Sequence, residues 1–216
     1  MSNADFVMYS PDRPATLHGG FYSYTCWPRG IPAALARLYR DWECIDAATG
    51  DDIYLLTPIS DVCVVRLAGG RQLEIRERGR DRGLLQHWRT ARSVRFPMCP
   101  DALLDLATAL GLREMPPNDA ALSPAHLVAA LSALPDPVRS LTVHTSRLVF
   151  RRGTCRAEVA SLDPGRGRQF CLSLEAGDEG SILGAIAGLG LTGHRNISTG
   201  EALRPPQLEQ PGTAAG

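Results

Sequence analysis

The chain of 216 residues contains no lysine, and all 23 of its basic residues are arginine. A GC-rich genome is the simplest cause of this bias. The absence of lysine excludes Schiff-base chemistry, a lysine general base and a phosphate-binding P-loop. The formal net charge is zero, which argues against nucleic acid as a partner, because nucleic-acid binding relies on a basic surface.

The six cysteines form no C-x-x-C pair and have no histidine at zinc-binding spacing. The sequence also shows no secretory signal pattern and no apolar run long enough to span a membrane. We therefore expect free thiols in a reducing cytoplasm and no membrane partner. Hydrophobic content of 44% and charged content of 21% are typical of a globular protein.

The segment from Asp61 to Arg78 has the pattern of a β-hairpin that turns at Gly69-Gly70. A loop one residue longer than this glycine pair would place Arg66 opposite Glu74 and Val64 opposite Arg76. One face would then carry Arg66, Glu74, Arg76 and Arg78, and the other Val65, Leu67, Leu73 and Ile75. A shift of one residue would exchange every side chain between the faces, so the segregated register is favoured.

Three later segments repeat this alternation. In the first, Arg147 and Arg151 lie on one face of the strand, and Leu148 and Phe150 lie on the other. In the second, Arg156 and Glu158 lie on the opposite face from Ala157 and Val159. In the third, the two faces carry Gln169, Cys171, Ser173 and Glu175 on one side and Phe170, Leu172 and Leu174 on the other. The pattern predicts strands with one face against a hydrophobic layer. Whether the charged face meets solvent or lines a cavity stays open, because one-sided antiparallel sheets are common.

The remaining segments indicate helices at the ends and in the middle of the domain. A first strand at 21–27 precedes a helix at about 32–42, and Asp178 is placed to cap a final helix that reaches about Leu189. A leucine- and alanine-rich stretch at about 97–139 contains two helical patterns joined by a linker at Met115–Asp119. Short strands at 44–46 and 52–56 read as a second hairpin.

These elements predict an α+β fold: an antiparallel eight-stranded β-barrel or tunnel, with helices packed outside and a helical insert between its two halves. We expect a flexible N-terminal arm at residues 1–18, a single domain at 19–195 and a disordered tail at 196–216. The tail follows from its proline, glutamine, glycine and alanine content, which leaves little apolar surface to bury.

The order of the motifs resembles the CYTH-like, or triphosphate tunnel, superfamily. The front half matches through Asp52-Ile-Tyr-Leu-Leu-Thr-Pro58, Val65-Arg-Leu67 and Leu73-Glu-Ile-Arg76. The back half matches through Leu148-Val-Phe-Arg-Arg152, Glu158-Val-Ala-Ser-Leu-Asp163 and Phe170-Cys-Leu-Ser-Leu-Glu175. The similarity covers residues 20 to 190 in order. It implies a closed tunnel that binds triphosphate-bearing ligands with Mg²⁺ or Mn²⁺, as in triphosphatases and class IV adenylyl cyclases.

The resemblance implies which side chains face the tunnel. They are Asp52, Arg66, Glu74, Arg76, Arg78, Arg147, Arg151, Arg156, Glu158 and Glu175, that is, six cations against four anions. Arginine forks suit phosphate oxygens, and the glutamates at 158 and 175 are the candidate ligands of Mg²⁺ or Mn²⁺. No catalytic residue is predicted.

The first strand departs from the family pattern. It lacks the family's E-x-E-x-K signature, strand two ends in Leu56 where an acid is usual, and Ser173 stands where another acid is expected. Three hypotheses follow. The first is a domain that binds a phosphorylated small molecule or polyphosphate, with weak or no hydrolysis. The second is a metal-dependent triphosphatase with a reduced metal site at Glu74, Glu158 and Glu175, and the third is an interaction module with a solvated Arg/Glu sheet face. The missing acids favour the first over the second.

Overall fold

A computed structural model describes residues 20–113, 122–135, 138–165 and 167–204. The predicted arm at 1–18 and the predicted linker at Met115–Asp119 lie outside these ranges. The described chain forms eight strands and five helices. None of these helices is long and apolar enough to cross a membrane.

The eight strands form one closed barrel. They are β1 (Phe21–Cys26), β2 (Glu43–Leu56), β3 (Cys63–Ala68), β4 (Gln72–Arg78), β5 (Gln86–Arg95), β6 (Arg139–Arg152), β7 (Cys155–Asp163) and β8 (Gln169–Ala176). Every neighbouring pair is antiparallel, and the order β1-β5-β4-β3-β2-β6-β7-β8 returns to β1. The predicted α+β barrel is confirmed. Because the sheet closes, the hypothesis of a solvated Arg/Glu face is wrong for its central residues.

The β3–β4 hairpin has the predicted register, with Arg66 opposite Glu74 and Val64 opposite Arg76. Its loop contains Gly69, Gly70 and one further residue. Both glycines have positive φ, at 55° and 62°, a conformation that residues with a Cβ rarely adopt. The loop length therefore sets which side chains of the hairpin point into the barrel.

The helices are α1 (Pro32–Asp41), α2 (Pro100–Leu110), α3 (Pro124–Ser132), α4 (Glu179–Leu189) and α5 (Thr199–Leu203). Two apolar layers join four of them to the outside of the barrel. One holds Leu38 of α1 and Ile182 of α4 against β1, β7 and β8. The other holds Leu106 of α2 and Leu127 of α3 against the outward residues of β3 and β4. The helical insert and the outer helices are thus as predicted.

Strand β2 differs from the prediction of a short hairpin at 44–46 and 52–56. It is one strand of 14 residues that pairs along β6, with an irregularity between Cys44 and Asp46. The turn-like residues Thr49 and Gly50 lie inside this ladder. The continuous row of hydrogen bonds to an equally long neighbour outweighs their local preference for a turn.

Residues 196–204 are part of the folded domain, although the sequence placed them in the predicted tail. The amide of Ile197 donates to the carbonyl of Thr25, and the Ser198 hydroxyl caps α5 by accepting from the amide of Glu201. Leu203 is almost fully buried. The side chain of Asn196 also accepts from the amide of Thr25 and donates to the carbonyls of Ser23 and Leu84. These contacts are distant in the sequence, so the composition of the segment does not reveal them. Residues 205–216 lie outside the described ranges.

A third apolar cluster lies inside the barrel, where α5 crosses one end. It contains Tyr54, Leu56, Val143, Ala160, Leu162, Cys171 and Leu203. We call this end, bounded by Leu56, Leu162 and α5, the covered end. The opposite end, where the inward side chains are those of Asp52, Arg156 and Glu175, is the charged end.

Candidate functional site

A cavity of about 90 Å³ lies inside the barrel. Three arginines reach it from three strands: Arg66 from β3, Arg76 from β4 and Arg156 from β7. Glu158 and Glu175 line the same space. The antiparallel register brings these distant segments together, because residues opposite one another on neighbouring strands share a face.

Glu175 links two of the arginines. Its Oε1 lies 2.7 Å from Arg76 Nη1, and its Oε2 lies 3.3 Å from Arg156 Nη1. Arg156 Nη2 also lies 2.7 Å from Glu158 Oε2. The four side chains therefore form one connected network of charge-assisted hydrogen bonds, which orients the guanidinium groups toward the cavity.

Arg66 belongs to a second, more deeply buried network. Its Nη2 donates to Glu74 Oε2 at 2.7 Å, and its Nη1 lies 3.5 Å from Asp52 Oδ2. The other carboxylate oxygen of Asp52 accepts from the amide of Gly69 at 2.9 Å. Asp52 thus ties the hairpin turn to the arginine that enters the cavity.

The charge states follow from burial and from these contacts. Burial opposes ionisation of Glu158, but Arg156, Arg66 and Arg147 outweigh it and lower its pKa to about 2. Burial likewise opposes ionisation of Glu175, yet Arg76 and Arg156 hold the pKa of that carboxyl below its usual value. Burial raises the pKa of Tyr54 to about 12. At neutral pH the cavity therefore contains ionised carboxylates and a neutral phenol.

The barrel interior brings together eight of the predicted site residues. Seven belong to the two networks: Asp52, Arg66, Glu74, Arg76, Arg156, Glu158 and Glu175. The eighth, Arg147, lies opposite Ala160 with a buried Nε that has no hydrogen-bond partner among the described residues. Together these are four arginines and four carboxylates.

Two predicted ligand-binding arginines lie away from the cavity. Arg78 pairs with Asp81 beyond the end of β4 and also donates to the carbonyl of Asp61. Arg151 lies 2.8 Å from Glu43, and both side chains are at least half exposed. The expected excess of cations over anions is therefore absent from the described interior, because these two arginines are neutralised elsewhere.

Sequence reasoning placed Ser173 on the inward face of its strand but missed the polar groups that β1, β5 and α5 bring to the cavity. The Oγ1 of Thr25 and the Oγ of Ser173 lie 2.9 Å apart, and Ser23 and Gln86 line the wall beside them. Alternation along β1 places side chains 21, 23 and 25 on one face of the strand, and this pattern could have predicted that Ser23 and Thr25 face the cavity. Two further lining residues, Ser198 and Thr199, come from α5. The pattern Ser198-x-x-Glu201 is a capping signature that would have located it.

The inward residues of β1 are Phe21, Ser23 and Thr25. The E-x-E-x-K signature of the resembled family would put two acids and a lysine at this spacing. Here the guanidinium carbon of Arg76 lies 5.4 Å from the centre of the Phe21 ring. The face of the aromatic ring attracts the positive charge in a cation–π interaction. The strand thus supplies an aromatic support and two hydroxyl groups, and no metal ligand.

A resident Mg²⁺ or Mn²⁺ does not fit these side chains. The described residues contain no group of three or more histidine, cysteine, aspartate or glutamate side chains placed to hold a metal ion. Both candidate ligands, Glu158 and Glu175, are already engaged by Arg156. A divalent ion beside them would also stand beside that guanidinium, and the repulsion opposes binding.

No family model matches the sequence, and no curated protein matches it. Solved structures give distant similarities in three dimensions. A candidate adenylate cyclase from Bacillus halodurans has 7% identity and a TM-score of 0.47, covering 85% of this chain and 96% of that one. A Hippeastrum protein, described as a candidate adenylyl cyclase with a dominant triphosphatase activity, has 13% identity and a TM-score of 0.46, covering 88% and 99%.

A conserved hypothetical protein from Pyrococcus furiosus has 12% identity and a TM-score of 0.43, covering 84% of this chain and 93% of that one. These identities and TM-scores are too low to assign the chain to a family or an activity. Any function has to be inferred from the side chains inside the closed barrel.

Proposed function

We propose that the barrel binds a phosphorylated small molecule through Arg66, Arg76 and Arg156, without metal and without appreciable hydrolysis. The observation that carries the proposal is the convergence of three guanidinium groups on one cavity. Arginine presents a planar fork of donors that matches the oxygens of phosphate.

The arginines retain donors for a ligand although they contact carboxylates. A guanidinium has five N–H groups. The ion pairs of Arg76 use its Nη1, and those of Arg156 use Nη1 and Nη2. Their side chains are 29% and 26% exposed, so solvent reaches them. The carboxylates hold the forks in place, which reduces the ordering that a ligand would have to impose.

Hydrolysis is disfavoured by what the site lacks. Metal-assisted phosphoryl transfer needs carboxylates that hold the ion between phosphate oxygens. The carboxylates of the described interior neutralise arginines instead. The family resemblance in the sequence suggested a triphosphatase as the alternative, and the ion pairs of Glu158 and Glu175 count against it.

The experiment is a titration of the protein with inorganic phosphate and pyrophosphate, in the presence of EDTA, followed by thermal shift and calorimetry. We expect both anions to raise the melting temperature, less so at high salt. Arg76→Gln should weaken binding about tenfold or more, the effect of losing a charge-assisted hydrogen bond. Glu175 keeps its contact with Arg156 in this variant, so the barrel should still fold.

The matched control is Arg92→Gln, which removes the same charge from an exposed pair with Asp105 outside the barrel. It should bind phosphate like the wild type. No effect of either anion on the wild type, equal losses in the two variants, or binding that requires added Mg²⁺ would overturn the proposal.

A further inference from the structure

On β2, β7 and β8 the inward side chains change from charged to apolar along the barrel, whereas β1 places Phe21 at the charged end and Thr25 toward the covered end. On β7 the sequence from the charged end to the covered end is Arg156, Glu158, Ala160, Leu162. On β8 it is Glu175, Ser173, Cys171. On β2 it is Asp52, Tyr54, Leu56. Three strands from both halves of the sequence thus share one polarity gradient. A ligand with one charged end and one apolar end would match this gradient.

The apolar part of the cavity is closed by α5. Leu203 packs against the inward apolar cluster, and Ser198 and Thr199 face the cavity. A Cβ on Gly200 would lie 2.0 Å from the carbonyl oxygen of Ser60, so the helix is seated directly on the chain before β3. The cavity therefore ends at an apolar and hydroxyl-bearing floor.

The size of the cavity limits the ligand. At 10–15 Å³ for each water-sized group, about 90 Å³ holds roughly six to nine such groups. A phosphate that carries a short aliphatic chain fits within this space.

The charge balance limits the ligand further. Four arginines and four carboxylates face the described interior. A triphosphate would bring several negative charges with no equal excess of cations to meet them, and in a partly buried site such charge is poorly compensated. A single phosphate group brings at most two.

We propose that the ligand is a singly phosphorylated molecule with a short aliphatic group. This inference rests on the proposed function and specifies its ligand. The phosphate contacts Arg66, Arg76 and Arg156, and the aliphatic group points toward the covered end, against Val64 and Ala160.

The test is calorimetry of the wild type with inorganic phosphate, with methyl, ethyl and propyl phosphate, and with inorganic triphosphate, all in EDTA. Each methylene that becomes buried should tighten binding about fourfold. Triphosphate should bind more weakly than propyl phosphate. If alkyl phosphates bind no more tightly than phosphate, or triphosphate binds best, this inference is overturned and the proposed function stands. If no phosphate compound binds, the proposed function itself has failed.

Two variants test the orientation. Ala160→Leu fills the apolar part of the cavity, so propyl phosphate should lose its advantage over inorganic phosphate in this variant. Overpacking sometimes prevents folding, so Val64→Thr provides a second test at equal volume. Its hydroxyl should remove most of the gain per methylene. Unchanged affinity for propyl phosphate in whichever variants fold would show that the chain does not lie there.

Discussion

Arg66 and Glu74 form an ion pair across the β3–β4 hairpin, with Nη2 of the arginine 2.7 Å from Oε2 of the glutamate. Both side chains are at least 87% buried, at 13% and 4% exposure. The pair stands on the inner face of the barrel. It depends on the three-residue turn, because a turn of any other parity would point one partner outward.

Replacing Arg66 by alanine should lower the free energy of unfolding by about 3–5 kcal/mol, because Glu74 and Asp52 would lose the cation that compensates their burial. Urea denaturation measures this change. Arg92→Ala, which breaks an exposed pair, should cost about 0–1 kcal/mol. Similar values for the two variants would mean that the Arg66 network contributes no more than a surface ion pair.

Acid should destabilise the barrel through Glu158. Its pKa in the folded protein is about 2, below the ordinary value of 4.5, so the folded state favours the ionised form. The resulting stabilisation is present above pH 4.5 and is lost as the pH falls toward 2. Unfolding free energies measured across this range should decline less steeply in Glu158→Gln than in the wild type. Parallel curves for the two proteins would contradict the assignment.

Gly200→Ala should displace α5. The new Cβ would meet the Ser60 carbonyl at 2.0 Å and Val64 Cγ2 at 2.8 Å, and backbone at such a distance has to move. We expect a lower melting temperature and faster hydrogen exchange at residues 196–204. Gly184→Ala in α4 is the control, because its Cβ would meet nothing within 4 Å. That change should stabilise the protein by about 0.5–1 kcal/mol.

Hydrolysis of inorganic triphosphate, thiamine triphosphate and nucleoside triphosphates should be weak or absent with Mg²⁺ and with Mn²⁺. The reason is that the carboxylates at 158 and 175 neutralise arginines and are not grouped as metal ligands. Phosphate release is the measurement. Robust turnover that disappears in Glu158→Gln or Glu175→Gln would instead establish a metal-dependent hydrolase.

The sequence predicted the barrel wall because the wall follows from local patterns. Alternation in β3, β4, β7 and β8 determined which side chains face inward, and the glycine turn determined the register of Arg66 against Glu74. The caps of α3 and α4 were also visible, since Ser123 and Asp178 each accept from a backbone amide of the first turn.

The charge balance could not be predicted from these patterns, because it depends on where each strand ends relative to its neighbours. The alternation of their strands predicts that Arg78 and Arg151 point into the barrel. Instead, Arg78 forms an ion pair with Asp81, and Arg151 forms one with Glu43. The position of α5 depends on contacts between residues more than 130 apart in the chain, such as Gly200 against Ser60. No local pattern in the sequence contains that information.

Because α5 lies across one end of the barrel, a ligand that enters at the charged end also has to leave there. Two molecules cannot pass one another in a cavity of about 90 Å³. The first has to dissociate before a second binds, and the water it displaces leaves by the same route. Exchange should therefore be strictly sequential, and the dissociation rate of one ligand should limit the arrival of the next at saturating concentrations.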